Sequence, residues 1–190
     1  VNSDNVLKLA PTMPIPAVVA PEARIIMGLI PSHNQFLLSA ISSVIMPGLV
    51  ELAGMSMEEF TPGQIMFDIL YGNKQLHMAY IDNTGTAVME NFQQEFAKRL
   101  QNPAKDYAGF TIIEPLRNTG FHIFCGYVTP EYRRSNVMRM AFKYLEQESR
   151  KMRAPYISTA LQRVLTEGAV DVGLKETTVN FRKKLIYEGE

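Results

Sequence analysis

The chain has one cysteine, Cys125, and one thiol cannot close an internal disulfide, so the fold must hold without one. Its three histidines, His33, His77 and His122, are far apart and have no metal-ligand spacing, which argues against a structural zinc site. Uninterrupted apolar runs are also lacking. The longest apolar region, Phe36 to Val50, is broken by Ser39, Ser42, Ser43, Pro47 and Gly48, short of the roughly 18 residues of a membrane span. The N-terminus carries Asp4 and several prolines where a secretory signal has a basic-then-apolar progression. The expectation is a cytoplasmic protein with no membrane partner. The motifs G-x-x-x-x-G-K-[ST], G-x-S-x-G and H-E-x-x-H are absent, which removes the commonest P-loop, serine-hydrolase and zinc-protease signatures.

What is present fits one globular domain. Of 190 residues, 46% are hydrophobic and 20% charged, an ordinary balance for a chain that buries a core. The net charge is zero, yet the charge is unevenly spread. From Arg133 to Lys184 there are twelve basic and five acidic residues, an excess of seven that the rest of the chain offsets. Such asymmetry marks either an anion-binding face or a solvated helix surface. The clusters Arg150-Lys151-Met152-Arg153 and Arg182-Lys183-Lys184 have no stacking aromatic series beside them, so nucleic acid is not an expected partner.

Two regions differ in character. Residues 1–22 contain Pro11, Pro14, Pro16 and Pro21 among Val6, Leu7, Leu9, Met13, Ile15, Val18 and Val19. Proline forbids regular helix and favours extended chain, and a disordered tail is usually less apolar. This reads as an arm that lies on a surface, its own or that of another protein subunit. Residues 23–190 read as one domain. Residues 23–30 form an apolar strand run. Helix is predicted from Gln35 to Met46, broken at Pro47-Gly48, then again from Leu49 to Met55 and from Pro62 to Leu70. Alternation predicts a strand over Gln75–Asp82. A helical stripe of Met89, Phe92, Phe96 and Leu100 predicts a helix over Ala87–Gln101. Strands are predicted at Ala108–Pro115 and Phe121–Val128, joined as a hairpin. A long helix follows over Arg134–Met152, then a strand at Tyr156–Ala160, a short helix at Gln162–Glu167 and a final strand over Glu176–Ile186. The fold class is α/β, with a mixed, mostly antiparallel sheet flanked by helices.

The segment Tyr127–Ala141, YVTPEYRRSNVMRMA, joins a strand to a basic helix. Free amides at a helix N-terminus make a ready anion site, with phosphate the usual guest. Val128-Thr129-Pro130-Glu131-Tyr132-Arg133 resembles the V-x-P-E-Y-R before the pyrophosphate loop of GCN5-related N-acetyltransferases. The preceding strands resemble that family's second to fourth. Gly173-Leu174-Lys175-Glu176 resembles its G-F-x-E. The resemblance runs in order from Leu70 to the chain's end. It implies an acetyl-CoA cofactor, with pantetheine beside Gly126, Tyr127 and Val128. The pyrophosphate would lie at the loop Arg133, Arg134, Ser135, Asn136, Val137 and Met138.

Three departures qualify it. The family's R/Q-x-x-G-x-G/A reads Arg133-Arg134-Ser135-Asn136-Val137-Met138. Asparagine accepts the positive φ of a glycine at modest cost, whereas a methionine side chain at the last small position should crowd a phosphate. The position of the family's acid tyrosine holds Ala169, and that of its asparagine holds Gln162; Tyr156 or Tyr187 would have to replace the tyrosine. A helix replaces the tight turn between the family's second and third strands.

Candidate bases are Glu114, His122 and Glu131, with Glu114 and His122 the expected catalytic residues. His122 lies on the face opposite Phe121 and Ile123, where a hydrogen-bonded structural role is the simpler reading. Cys125 reads as a small buried apolar residue, with no base pattern around it. Two functions remain open on the shared fold. One is an acetyl-CoA-dependent transfer of an acyl group to a small-molecule or peptide amine, which needs alignment more than elaborate acid-base help. The other is a non-catalytic interaction module of a larger assembly, such as a phage particle, engaged through the arm.

Overall fold

The structure is a computed structural model that describes residues 24–55, 60–83, 92–116, 120–133, 135–159, 175–177 and 180–184. Among the described residues, seven strands form one sheet in the order β1-β2-β3-β4-β5-β7-β6. These are β1 (Arg24–Ile30), β2 (Gln75–Asp82), β3 (Tyr107–Leu116), β4 (Gly120–Val128), β5 (Tyr156–Thr159), β6 (Lys175–Thr177) and β7 (Asn180–Lys184). Neighbours are antiparallel except β4 and β5, which run parallel. The expected α/β class and mostly antiparallel sheet are therefore present.

Helices α1 (Gln35–Met55), α2 (Pro62–Leu70), α3 (Phe92–Gln101) and α4 (Val137–Lys151) cover the sheet. The first three share a core with one face, built from Ile41, Ile45 and Leu49 of α1, Ile65 and Ile69 of α2, Phe96 of α3 and Leu76, Met78, Phe110 and Ile112 of the sheet. α4 covers the other face through Val137, Ala141, Phe142 and Leu145. The split follows strand alternation: Ile112 faces α1 and Ile113 faces α4.

Several expected boundaries are corrected. The break at Pro47 does not occur, because α1 runs unbroken through that proline. Pro47 is exposed, as is Ser43 four residues earlier. The carbonyl that loses its helical partner thus opens to water. Gly48 then lets α1 approach the sheet closely, since a Cβ there would lie 2.7 Å from the Tyr127 ring. By length and composition alone, Gln35–Gly54 could cross a membrane; in this fold Leu38, Ile41, Ile45 and Leu49 bury one side of it against the sheet. The expected long last strand is instead the hairpin β6–β7. α4 begins at Val137 rather than Arg134 because Pro130–Tyr132 forms a separate 3-10 turn.

Thr61 and Pro62 start α2 as expected, the Thr61 hydroxyl accepting from the Gln64 amide at 3.2 Å. α3 packs on its own sheet, with Phe96 over Gly28 and edge-on to Tyr80 at 6.0 Å. Arg99 closes its far end through Asp106 and Asp82. The start of that helix expected from Ala87, the short helix at Gln162–Glu167 and the arm at residues 1–22 lie outside the described residues.

Candidate functional site

β4 carries a bulge. Ile112 pairs with Cys125 and Ile113 with Ile123, which leaves Phe124 as the extra residue. The bulge resets the alternation. Before it, Phe121 and Ile123 face α4; after it, Phe124, Cys125 and Tyr127 pack toward α1.

The described part of β5 ends at Thr159, so its parallel pairing with β4 is described at Phe121, His122 and Ile123. The Thr159 hydroxyl donates to the Ile123 carbonyl at 3.1 Å. The next stretch of β4 is half-exposed from Phe124 to Tyr127.

The N-terminus of α4 meets the same stretch of β4 at Gly126. Asn136 is the helix cap but makes no side-chain cap bond, so the helix start lacks the usual internal acceptor. The positive φ expected at Asn136 is not found; φ there is −76°. Ser135 is turned inward, its hydroxyl donating to the Tyr132 carbonyl at 2.6 Å. Val137 is buried in the core. Met138, 47% exposed, reaches back to β4, and its methyl lies 3.0 Å from where a Cβ on Gly126 would be. Glycine at 126 thus opens a space that the end of Met138 fills.

Arg133 is held on the α1 side. It forms an ion pair with Glu51, donates from Nε to the Val128 carbonyl at 3.2 Å and lies 5.6 Å from the Tyr127 ring centre. Burial, and then the Glu51 carboxylate, push the Tyr127 hydroxyl up, so it stays protonated. Arg134, Gln162, Ala169, Gly173 and Tyr187 lie outside the described residues. Glu131 is exposed on the 3-10 turn.

The structure brings the two expected catalytic residues together. Glu114 and His122 are direct partners across β3 and β4, and such pairs share one face. His122 Nδ1 lies 3.1 Å from the Ser158 hydroxyl on β5. Glu114 is ion-paired with Lys74 at 3.2 Å. The Lys74 side chain is only 11% exposed against 42% for Glu114. Its ammonium also lies 4.1 Å from the centre of the Phe124 ring, a cation–π contact that holds it at the bulge. Phe60 meets Phe124 edge-on at 5.4 Å. Sequence reading missed Lys74, Glu51 and Ser158. Lys74 directly follows the Gly72-Asn73 turn, but nothing local signals its partner forty residues on.

The described residues hold no cluster of metal-ligating side chains. What they assemble is a half-exposed strand segment at a bulge, a helix N-terminus against it and a charged, aromatic-lined wall on the α1 side.

Known structures share this architecture. An acetyltransferase of the GNAT family from Staphylococcus aureus Mu50 superposes with a TM-score of 0.55 at 9% identity, over 84% of this chain and 99% of that one. A GNAT acetyltransferase from Listeria monocytogenes 4b F2365 gives 0.54 at 13% identity, over 88% and 99%. The PaiA N-acetyltransferase of Thermoplasma acidophilum, solved in complex with coenzyme A, gives 0.51 at 13% identity, over 85% and 99%. The fold of this chain is the GNAT acetyltransferase fold. No protein-family model and no curated protein sequence matches it.

Proposed function

We propose that this chain transfers an acyl group from acetyl-CoA to an amine, with Gly126, Tyr127 and Val128 of β4 and the start of α4 as the cofactor site. The observation that carries the reading is an α4 N-terminus with no side-chain cap bond, set against the half-exposed stretch of β4 at Gly126. The backbone of Gly126, Tyr127 and Val128 would hold the pantetheine arm. The α4 start, with Ser135, Asn136 and Val137, would hold the pyrophosphate. These residues fit such a ligand once Met138 turns, because only the flexible end of that side chain fills the space beside Gly126.

When bound, acetyl-CoA supplies a thioester whose C–S bond breaks as the C–N bond to the acceptor forms. The residues around it align the amine and move its proton. Glu114, fixed by Lys74 and half-exposed, accepts the proton, with His122 and Ser158 completing the hydrogen-bonded wall. Phe60 and Phe124 bound the acceptor's apolar part. Tyr127, kept protonated, is a proton source on the same strand. The acceptor is a small-molecule or peptide amine, and the setting is the cytoplasm.

A second reading rests on Met138. If its thioether stays against Gly126, the cofactor path is closed. The chain is then a degenerate acetyltransferase-like module of a larger assembly, a virus particle being one setting. Calorimetric titration with acetyl-CoA separates the two: binding by the unmodified chain supports transfer, and binding by a Met138→Ala variant alone supports the closed module.

A further inference from the structure

We infer that the groove between α1 and α2 is the docking site of this chain's own proline-rich arm, centred on Pro14-Ile15-Pro16. The groove has a volume of about 460 Å³. One wall is the α1 face with Leu38, Ser39 and Ser42, and the other is the α2 face with Gly63, Met66 and Phe67. None of the groove's lining residues carries a charge. On the α2 side the groove is apolar and open: Phe67 is 51% exposed, and Tyr71, which touches Phe67, 66%. The Phe67 and Tyr71 rings meet at a tilt of 35°, their centres 4.2 Å apart, forming an aromatic ledge. Small residues keep the floor clear, and a Cβ added at Gly63 meets nothing within 4 Å.

The occupant is argued from the chain itself. Leu9 to Pro21 contains no charged residue and has prolines at 11, 14, 16 and 21. Such a segment favours the extended polyproline form, which loses little entropy on docking and suits uncharged aromatic-lined grooves. Charge matches on both sides, since neither surface has an ion to desolvate. Reach also suffices. The arm enters at Arg24, and α1 starts just past the opposite end of β1. β1 therefore sets a distance of about 20 Å. Eight residues from Pro16 to Arg24 span about 25 Å at about 3.1 Å each. A tethered segment within reach has a millimolar-scale effective concentration, which favours its own groove over a neighbour's. This inference does not rest on the acyl-transfer reading.

Thermolysin digestion of the full chain tests it, with cleavage before Val18 and Val19 followed by mass spectrometry. Ser39→Arg puts a charge into the groove, and Gly63→Leu fills it. Both positions leave the core untouched, and unchanged melting midpoints verify the fold. The arm of the unmodified chain is expected to be cut at least about ten times more slowly than that of either variant, at a rate independent of protein concentration. Equal rates in all three chains would overturn the proposal. Protection that rises with concentration together with a doubled mass in light scattering would also overturn it, because the groove would then take a second copy's arm.

Discussion

His77 makes this fold sensitive to acid in a way that can be worked out from its surroundings. It is 2% exposed in the middle of β2, on the α4 side of the sheet. Neither ring nitrogen has a hydrogen-bond partner, and the ring meets Tyr144 edge-on at 5.6 Å. Thr111 is its partner across β3, and Leu29 its partner across β1. Burial without a carboxylate lowers its pKa from 6.5 to about 4, since a charged imidazole there would lose its water. The unfolded chain therefore binds the proton more readily than the folded one, and stability falls as the pH drops below about 6.5. The loss is about 2 kcal/mol at pH 5 and levels off below about pH 4 near 3.4 kcal/mol, from 1.36 kcal/mol per pKa unit. Urea unfolding at pH 7.5 and pH 5 measures it, with His77→Leu as the reference. Carboxylates contribute equally to both proteins, so the difference between the two pH dependences isolates the imidazole. The unmodified chain should lose about 2 kcal/mol more than the variant over that interval. Identical pH dependences would refute the argument, and would mean that His77 takes its proton in the folded state as easily as in water.

Two further substitutions probe the site and the scaffold. Glu114→Gln removes the partner of a largely buried ammonium while Phe124 still covers it. It should cost about 1–2 kcal/mol in urea unfolding, since Glu114 itself is half in water, and Lys74→Met should relieve most of that cost in the double variant. Thr61→Ala removes the hydroxyl that caps the Gln64 amide and should lower stability by about 1 kcal/mol, with the loss read from chemical denaturation at neutral pH.

Much of the fold was legible because short-range signals agreed with it. The alternation of QLHMAYID fixed β2, and Thr61-Pro62 fixed the start of α2. Phe121 and Ile123 opposite His122 are found as alternation requires. Signals failed where tertiary packing decided. Pro47 reads as a helix stop, but its position on the outer face of α1 lets the helix continue. A single strand to Ile186 was expected because nothing local marks the antiparallel pairing of β6 with β7. The Phe124 bulge is invisible in FHIFCGYV, since it exists only against the register of β3. The same holds for the site. Glu114 and His122 were nameable as candidates, but their cross-strand pairing depends on the hairpin. The attachment of Arg133 to Glu51, eighty-two residues away, has no trace in the sequence around either.

The proposed cofactor site, Gly126–Val128 of β4 with the start of α4, has an entrance that Met138 narrows. Isothermal titration with acetyl-CoA, run on the unmodified chain and on Met138→Ala, tests it most directly. The account predicts micromolar binding by the unmodified chain, about −8 kcal/mol, and binding several-fold tighter in the variant, where no side chain must leave the space beside Gly126. Absence of binding in both proteins, with their melting midpoints intact, would contradict it.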